Sequence, residues 1–202
     1  MDRLKKQFDF IREVDGVKQI FRQTYLHDAS RKENDAEHSW HLALMAVLLK
    51  EYASSDIDLL HVIIMVLIHD VVELDAGDTY AYDTIGNATK RERELAAADR
   101  IFNILPEDQA RYLRNIWDEF EEESTKEAQF AHALDNIQPM MLNDASGAKA
   151  WREHDVKLSQ ILNRNKNTAN GSAQIWSYAK KNFIEPNLRE GSIKEDCILK
   201  MD

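Results

Sequence analysis

Apolar residues in this chain recur three and four positions apart in segment after segment, the spacing of one face of an α-helix. Only 6 glycines and 3 prolines in 202 residues leave few sites for the tight turns of a sandwich or barrel. The pattern predicts an all-α fold, and the length suits one globular domain around one core. Leu4, Phe8, Ile11 and Val14 form a first stripe, which Asp15-Gly16 breaks. The polar stretch 26–35 reads as a loop. Leu42, Met45, Leu49 and Tyr52 then mark a helix starting near Asp35, with His38 on the same stripe. Residues 59–71 are rich in β-branched side chains and compatible with a buried strand, but their length and neighbours favour a buried helix.

Two later helices carry start signals. Thr89 with Glu92 and Ser124 with Glu127 have the capping-box spacing. The first opens a helix through Leu95, Ala98, Ile101 and Phe102 that Pro106 ends. The second opens one through Phe130, Leu134 and Ile137, with Asp135 inside and Pro139 expected to kink or shorten it. Leu113, Ile116, Trp117 and Phe120 define a helix between them, and stretches near 151–163 and 172–183 complete a body spanning 1–185. Residues 186–202 read as a polar, loosely ordered tail.

Charge and cysteine content narrow the chemistry. With 26 Lys+Arg against 36 Asp+Glu the net charge is -10, which disfavours a nucleic-acid polymer or an anionic membrane as partner. The longest apolar run, 62–68, is far short of the roughly 20 residues a bilayer span needs, and the charged N-terminus lacks a signal peptide's apolar stretch. A soluble, cytoplasmic protein is the expectation. Cys197 is the single cysteine, so neither an intrachain disulfide nor a multi-cysteine zinc site is available. The chemistry falls to His, Asp and Glu.

Metal-capable side chains stand on separate helices: His38, the pair His69-Asp70, and Asp135. His69-Asp70 directly follows the apolar run, and Asp135 is flanked by Ala131, Leu134 and Ile137. A buried charge in either place costs several kcal/mol unless it is paired, hydrogen-bonded or bound to a metal. Imidazole nitrogen with carboxylate oxygen suits Mn²⁺, Co²⁺ or Fe²⁺ best, with Mg²⁺, Zn²⁺ and Ni²⁺ also open. Taken singly, each residue reads more simply as a hydrogen-bonded or salt-bridged core residue. Their order and spacing together shift the balance.

That order resembles the metal site of the HD-domain phosphohydrolases. More closely, Glu33-Asn34-Asp35-Ala36-Glu37-His38-Ser39 and the stretch from His69-Asp70 through Glu73 to Gly77-Asp78 are similar to the HD-domain 5'-deoxynucleotidases. The resemblance covers about residues 4–144. It implies an all-helical HD-domain bundle with one divalent metal, a homodimer, and removal of phosphate from (deoxy)nucleoside 5'-monophosphates. It also implies roles: His38, His69, Asp70 and Asp135 as metal ligands, Glu73 as catalytic carboxylate, and Asp78 as a second acidic residue near the sugar. Arg22 matches the phosphate-contacting arginine, with Arg31 a further candidate. The bacterial members follow that arginine with tryptophan, where this chain has Gln23. Tyr80 and Tyr82, in the stretch from Thr79 to Asp83, are candidates to line a base or sugar pocket. Competing readings are a nucleotide phosphodiesterase or triphosphohydrolase of the same superfamily, and a non-catalytic, metal-stabilised regulatory module.

Overall fold

An aspartate cap starts the first helix, α1 (Arg3–Val14), where the Asp2 side chain accepts from the Leu4 N–H. The computed structural model describes residues 2–82, 86 and 88–198, and among them it is helical apart from one short ribbon. Helix α1 leaves Leu4, Phe8 and Ile11 of its apolar stripe 56–60% exposed. It is anchored from its other side, by Phe10 against Phe102 and by Gln7 hydrogen-bonded to Gln109. Periodicity shows that a helix face is apolar, not what covers it.

The ribbon corrects the expected loop. Strand β1 (Phe21–Tyr25) pairs antiparallel with β2 (Lys32–Asn34), Phe21 opposite Asn34 and Tyr25 opposite Lys32. The connecting turn is closed by Leu26 N–H on the Arg31 carbonyl and by Asp28 accepting from Ser30 N–H. Asn34 then caps helix α2 (Asp35–Leu49): its side chain accepts from Glu37 N–H, and Glu37 accepts back from Asn34 N–H. The ribbon therefore leads straight into the turn that carries His38.

Residues 59–71 do form a helix, α3 (Leu59–Ile68), started by Asp58 accepting from Leu60 and His61 N–H. It tightens at His69–Val72 into a 3₁₀ turn, where Trp117 Nε1 donates to the His69 carbonyl, and passes into the short α4 (Glu73–Ala76). Gly77 follows with φ of 73°, which only glycine adopts without strain.

Helix α5 (Lys90–Phe102) buries Ala98, Ile101 and Phe102 as expected, yet the Thr89 side chain makes no capping hydrogen bond. After α6 (Glu107–Glu122) comes the central helix α7 (Lys126–Ala145), which packs against α2, α3 and α6. Its cap is Thr125, accepting from Ala128 N–H, one residue beyond the expected Ser124. Pro139 lies inside α7 without ending it. The stretch expected near 151–163 is two helices, α8 (Lys149–Glu153) and α9 (Leu158–Arg164), parted where Asp155 takes φ of 52°.

Helix α10 (Thr168–Ala179) lies along α7 and runs through a π turn, Lys180–Ile184, into α11 (Glu185–Arg189). Gly171 permits the close approach, since a Cβ there would stand 2.0 Å from the Gln129 carbonyl oxygen. Gly171→Ala is therefore expected to destabilise the protein by about 2–3 kcal/mol, the cost of overpacking against backbone, measured by urea unfolding. The segment expected as a loose tail begins inside α11, buries Asn187 and Ile193, and is held where Leu158 N–H meets the Lys194 carbonyl and Lys194 N–H meets that of Val156. Residues 199–202 and Asp83 lie outside the described residues.

Candidate functional site

Two histidines are aimed by what holds their Nδ1 atoms. His38, in the first turns of α2 and fully buried, has Nδ1 3.1 Å from Gln138 Oε1, which can only accept. That places a proton on Nδ1 and aims Nε2 at Asp135 Oδ1, 3.0 Å away. His69 donates from Nδ1 to the Val66 carbonyl at 2.9 Å, which likewise exposes Nε2. Second partners that orient an imidazole in this way accompany most histidine ligands.

Asp70 and Asp135 complete a ring of four donors. His69 Nε2 lies 3.1 Å from Asp70 Oδ2 and 3.7 Å from Asp135 Oδ1, and His38 Nε2 lies 3.9 Å from Asp70 Oδ2. Donors bound to one small ion at about 2.0–2.2 Å stand roughly 3 Å apart, so the ring has the scale of a metal site. The His69 Nε2 atom is buried and makes no good hydrogen bond, as expected of a donor shaped for something other than protein. His38, His69, Asp70 and Asp135 thus fit a divalent cation.

The electrostatics agree. Burial alone would depress His69, but Asp70 and Asp135 beside it raise it to about 10. Burial works against charge on Asp135 too, yet the hydrogen bond with His38 and the positive charge of His69 and His38 beside it hold its carboxyl well below the usual range. The two carboxylates demand positive charge, which protons on the imidazoles meet and a dication would meet instead.

On the opposite flank lies a set of acids. Asp35, Asp70 and Glu73 bring oxygens within 4.8 Å of one another. Asp35, 1% exposed, has neither oxygen hydrogen-bonded to a donor, and Glu73 has one orphaned oxygen. Burial, then the charges of Asp70, Asp35 and Asp78, raise the Glu73 carboxyl well above its ordinary value. Asp78 is raised as well, by burial first. Arg22, on β1, donates to Asp70 Oδ2 at 2.6 Å and approaches Asp35 Oδ1 to 3.5 Å.

Asp35 yields a pH prediction. Burial, reinforced by the Asp70 charge, pushes its carboxyl up to about 7. A carboxyl raised in the folded state contributes stability that is complete below its unfolded value, about 3.9, and is lost as pH rises through about 7. Asp35→Asn is expected to make the metal-free protein more stable than the parent at pH 8, by on the order of 2 kcal/mol, with little gain at pH 5. The lost Arg22 contact offsets part of the full effect. Urea unfolding at the two pH values measures it, and a difference independent of pH would contradict it.

These groups open on a cleft of about 220 Å³. Arg22, Asp78, Tyr80 and Tyr82 line it, together with Trp151 of α8. Arg31 does not reach it: it sits half-exposed at the surface, paired with Glu37, because the ribbon turn carries it away from β1. His41 meets the Gln138 amide, and His132 stacks on Phe120 with its ring nitrogen on the Phe120 carbonyl. Sequence reasoning missed Asp35, Glu33 and Gln138. Gln138 Nε2 donates to Glu33 Oε1 at 2.8 Å, so the residue that orients His38 is itself oriented. Glu33 and Asp35 do fall within the first quoted motif, but Gln138 gave no local signal.

A family model described as HD domain matches residues 14–176 of this chain. The 5'-deoxynucleotidase HDDC2 of Homo sapiens is 29% identical over 133 residues, 65% of this chain and 64% of that protein. Its Bos taurus counterpart is 28% identical over 134 residues, 65% and 63% of the two chains. This chain thus spans a little under two thirds of the length of these relatives. Among solved structures, a predicted metal-dependent phosphohydrolase from Magnetospirillum magnetotacticum MS-1 superposes with a TM-score of 0.90 at 43% identity, covering 95% of this chain and 96% of that one.

Proposed function

This chain belongs to the HD-domain family, and from that membership we propose that it is a divalent-metal-dependent phosphomonoesterase that removes phosphate from (deoxy)nucleoside 5'-monophosphates. The observation that carries the reading is the convergence of His38 Nε2, His69 Nε2, Asp70 Oδ2 and Asp135 Oδ1 from distant parts of the chain. The names of the human, bovine and Magnetospirillum relatives support it. These four residues would hold the ion, Mn²⁺, Co²⁺ or Fe²⁺ suiting the donor set best. Once bound, the ion supplies Lewis-acid polarisation of a phosphoryl oxygen and acidifies water.

The chain's own groups do the rest. Glu73, raised by burial and by its acidic neighbours, holds a proton more readily than an ordinary carboxyl. It is therefore suited to take a proton from the attacking water and return it to the leaving 5'-oxygen. Arg22 presents planar donors to the phosphate from beside Asp70. Asp78 can accept from a sugar hydroxyl, and Tyr80, Tyr82 and Trp151 offer flat apolar surface to the nucleoside.

A homodimer belongs to the same reading. Trp40, Leu44 and Leu48 of α2 and Leu60 and Leu67 of the neighbouring α3 are 42–66% exposed, apolar side chains that a second copy would cover. No helix among the described residues is long and apolar enough to cross a membrane. A cytoplasmic location is proposed with it.

The test is phosphate release from ribo- and deoxynucleoside 5'-monophosphates, unrelated phosphate esters, and cyclic and bis-phosphate substrates. Metal-stripped protein would be reloaded in turn with Mn²⁺, Co²⁺, Mg²⁺ or Zn²⁺. Metal-dependent release selective for monophosphates is expected. Release only from cyclic or bis-phosphate substrates would favour a phosphodiesterase, and silence from metal-loaded protein would favour a binding role.

A further inference from the structure

The cleft has a charge problem. Six carboxylates line it against three cations, Arg22, Lys90 and Arg164. A phosphate monoester arrives as a dianion near neutral pH, and a divalent ion bound by Asp70 and Asp135 is largely neutralised by those two ligands. The cations that meet the substrate must therefore have charge to spare. Arg22 is held tightly by Asp70 at 2.6 Å, with Asp35 behind it at 3.5 Å. Lys90 is paired with the buried Glu94 at 3.3 Å.

Arg164 is placed differently. It is the last residue of α9, its side chain is 44% exposed, and its one acidic contact within 4 Å among the described residues is Asp135 Oδ2 at 3.5 Å. That distance is long for a charged hydrogen bond, which runs about 2.7–2.9 Å. Arg22 Nη2 meanwhile lies 3.9 Å from Asp135 Oδ1. The two guanidinium groups thus approach opposite oxygens of one carboxylate, one from β1 and one from α9. A tetrahedral group seated over the donor ring would stand between them.

We infer that Arg164 is a second phosphate-binding residue, its guanidinium leaving Asp135 Oδ2 to donate to the phosphoryl oxygens of the bound ester. The inference rests on the phosphohydrolase reading and adds to it a residue that the motif resemblance does not reach. The exposed, loosely held guanidinium loses little by moving, whereas withdrawing Arg22 would strip two acids of their cation.

The test is calorimetric binding of inorganic phosphate to the Mn²⁺-loaded protein, in the parent, Arg164→Ala, Arg164→Lys and Arg12→Gln forms. Arg12, 81% exposed on α1 and outside the cleft, controls for the loss of one positive charge. Arg164→Ala is expected to weaken phosphate at least tenfold, Arg164→Lys to recover part of the loss, and Arg12→Gln to stay within twofold, all at unchanged Mn²⁺ content. A matching rise in KM for a monophosphate substrate should accompany it. Phosphate affinity within twofold of the parent in Arg164→Ala would overturn the inference. Loss of Mn²⁺ from that variant would overturn it too, making Arg164 a positioning residue for Asp135. A parent that binds phosphate but hydrolyses no nucleotide would sink the nucleotidase reading and leave the Arg164 assignment standing on the binding result, whereas a parent that binds no phosphate would remove both.

Discussion

Asp70→Ala should leave the protein unable to retain metal and unable to release phosphate, both losses appearing together. Asp70 supplies the oxygen 3.1 Å from His69 Nε2 and holds Arg22 at 2.6 Å. Removing a residue that merely orients a ligand costs 10–100-fold in metal affinity, so removing a donor should cost at least 100-fold. The variant also removes the shortest ion pair of the buried Arg22, leaving Asp35 and Asp135 as the acids within 4 Å of it among the described residues, which weakens the fold by on the order of 3 kcal/mol. Metal content after dialysis, turnover and a circular dichroism melt separate these effects. Asp70→Asn keeps the size of the side chain and isolates the charge. Full metal occupancy in a folded Asp70→Ala protein would remove Asp70 from the donor set.

Glu73→Gln is expected to behave in the opposite way, keeping the metal and losing turnover. Glu73 stands outside the ring of four donors, with its carboxyl near Asp35 and Asp70. The amide preserves shape but can neither accept nor return a proton, a loss typically worth 10²–10⁴-fold in kcat. The metal affinity should stay within a fewfold of the parent. The split between kcat and metal content distinguishes a proton-handling role from a structural one, and intact turnover would rule out Glu73 as the acid–base group.

What could be read in advance follows the range of the forces involved. Helices with inward stripes were legible, as in α2 and α7, because apolar spacing is local. So was the suspicion that His38, His69-Asp70 and Asp135 converge, since buried charge in an apolar run needs a partner. The ribbon was not legible. Strands of five and three residues are too short to display alternation, and β2 is a polar run whose Asn34 doubles as a helix cap. Arg31 stood beside Arg22 as a further phosphate-binding candidate in sequence, yet the ribbon turn sends Arg22 to the cleft and Arg31 to Glu37. Gln138 was invisible because its meaning lies in a contact with Glu33, 105 positions away.

The donor ring draws together chain positions 38, 69, 70 and 135, which share no local structure. An ion gripped by all four would act on the open chain as a reversible clasp, closing two long loops that the chain must otherwise close by packing alone. Such an ion binds only what is already folded, so free metal in the surroundings becomes a term in the folding equilibrium itself. For a molecule built this way, persistence of the fold and readiness for chemistry are governed by one concentration.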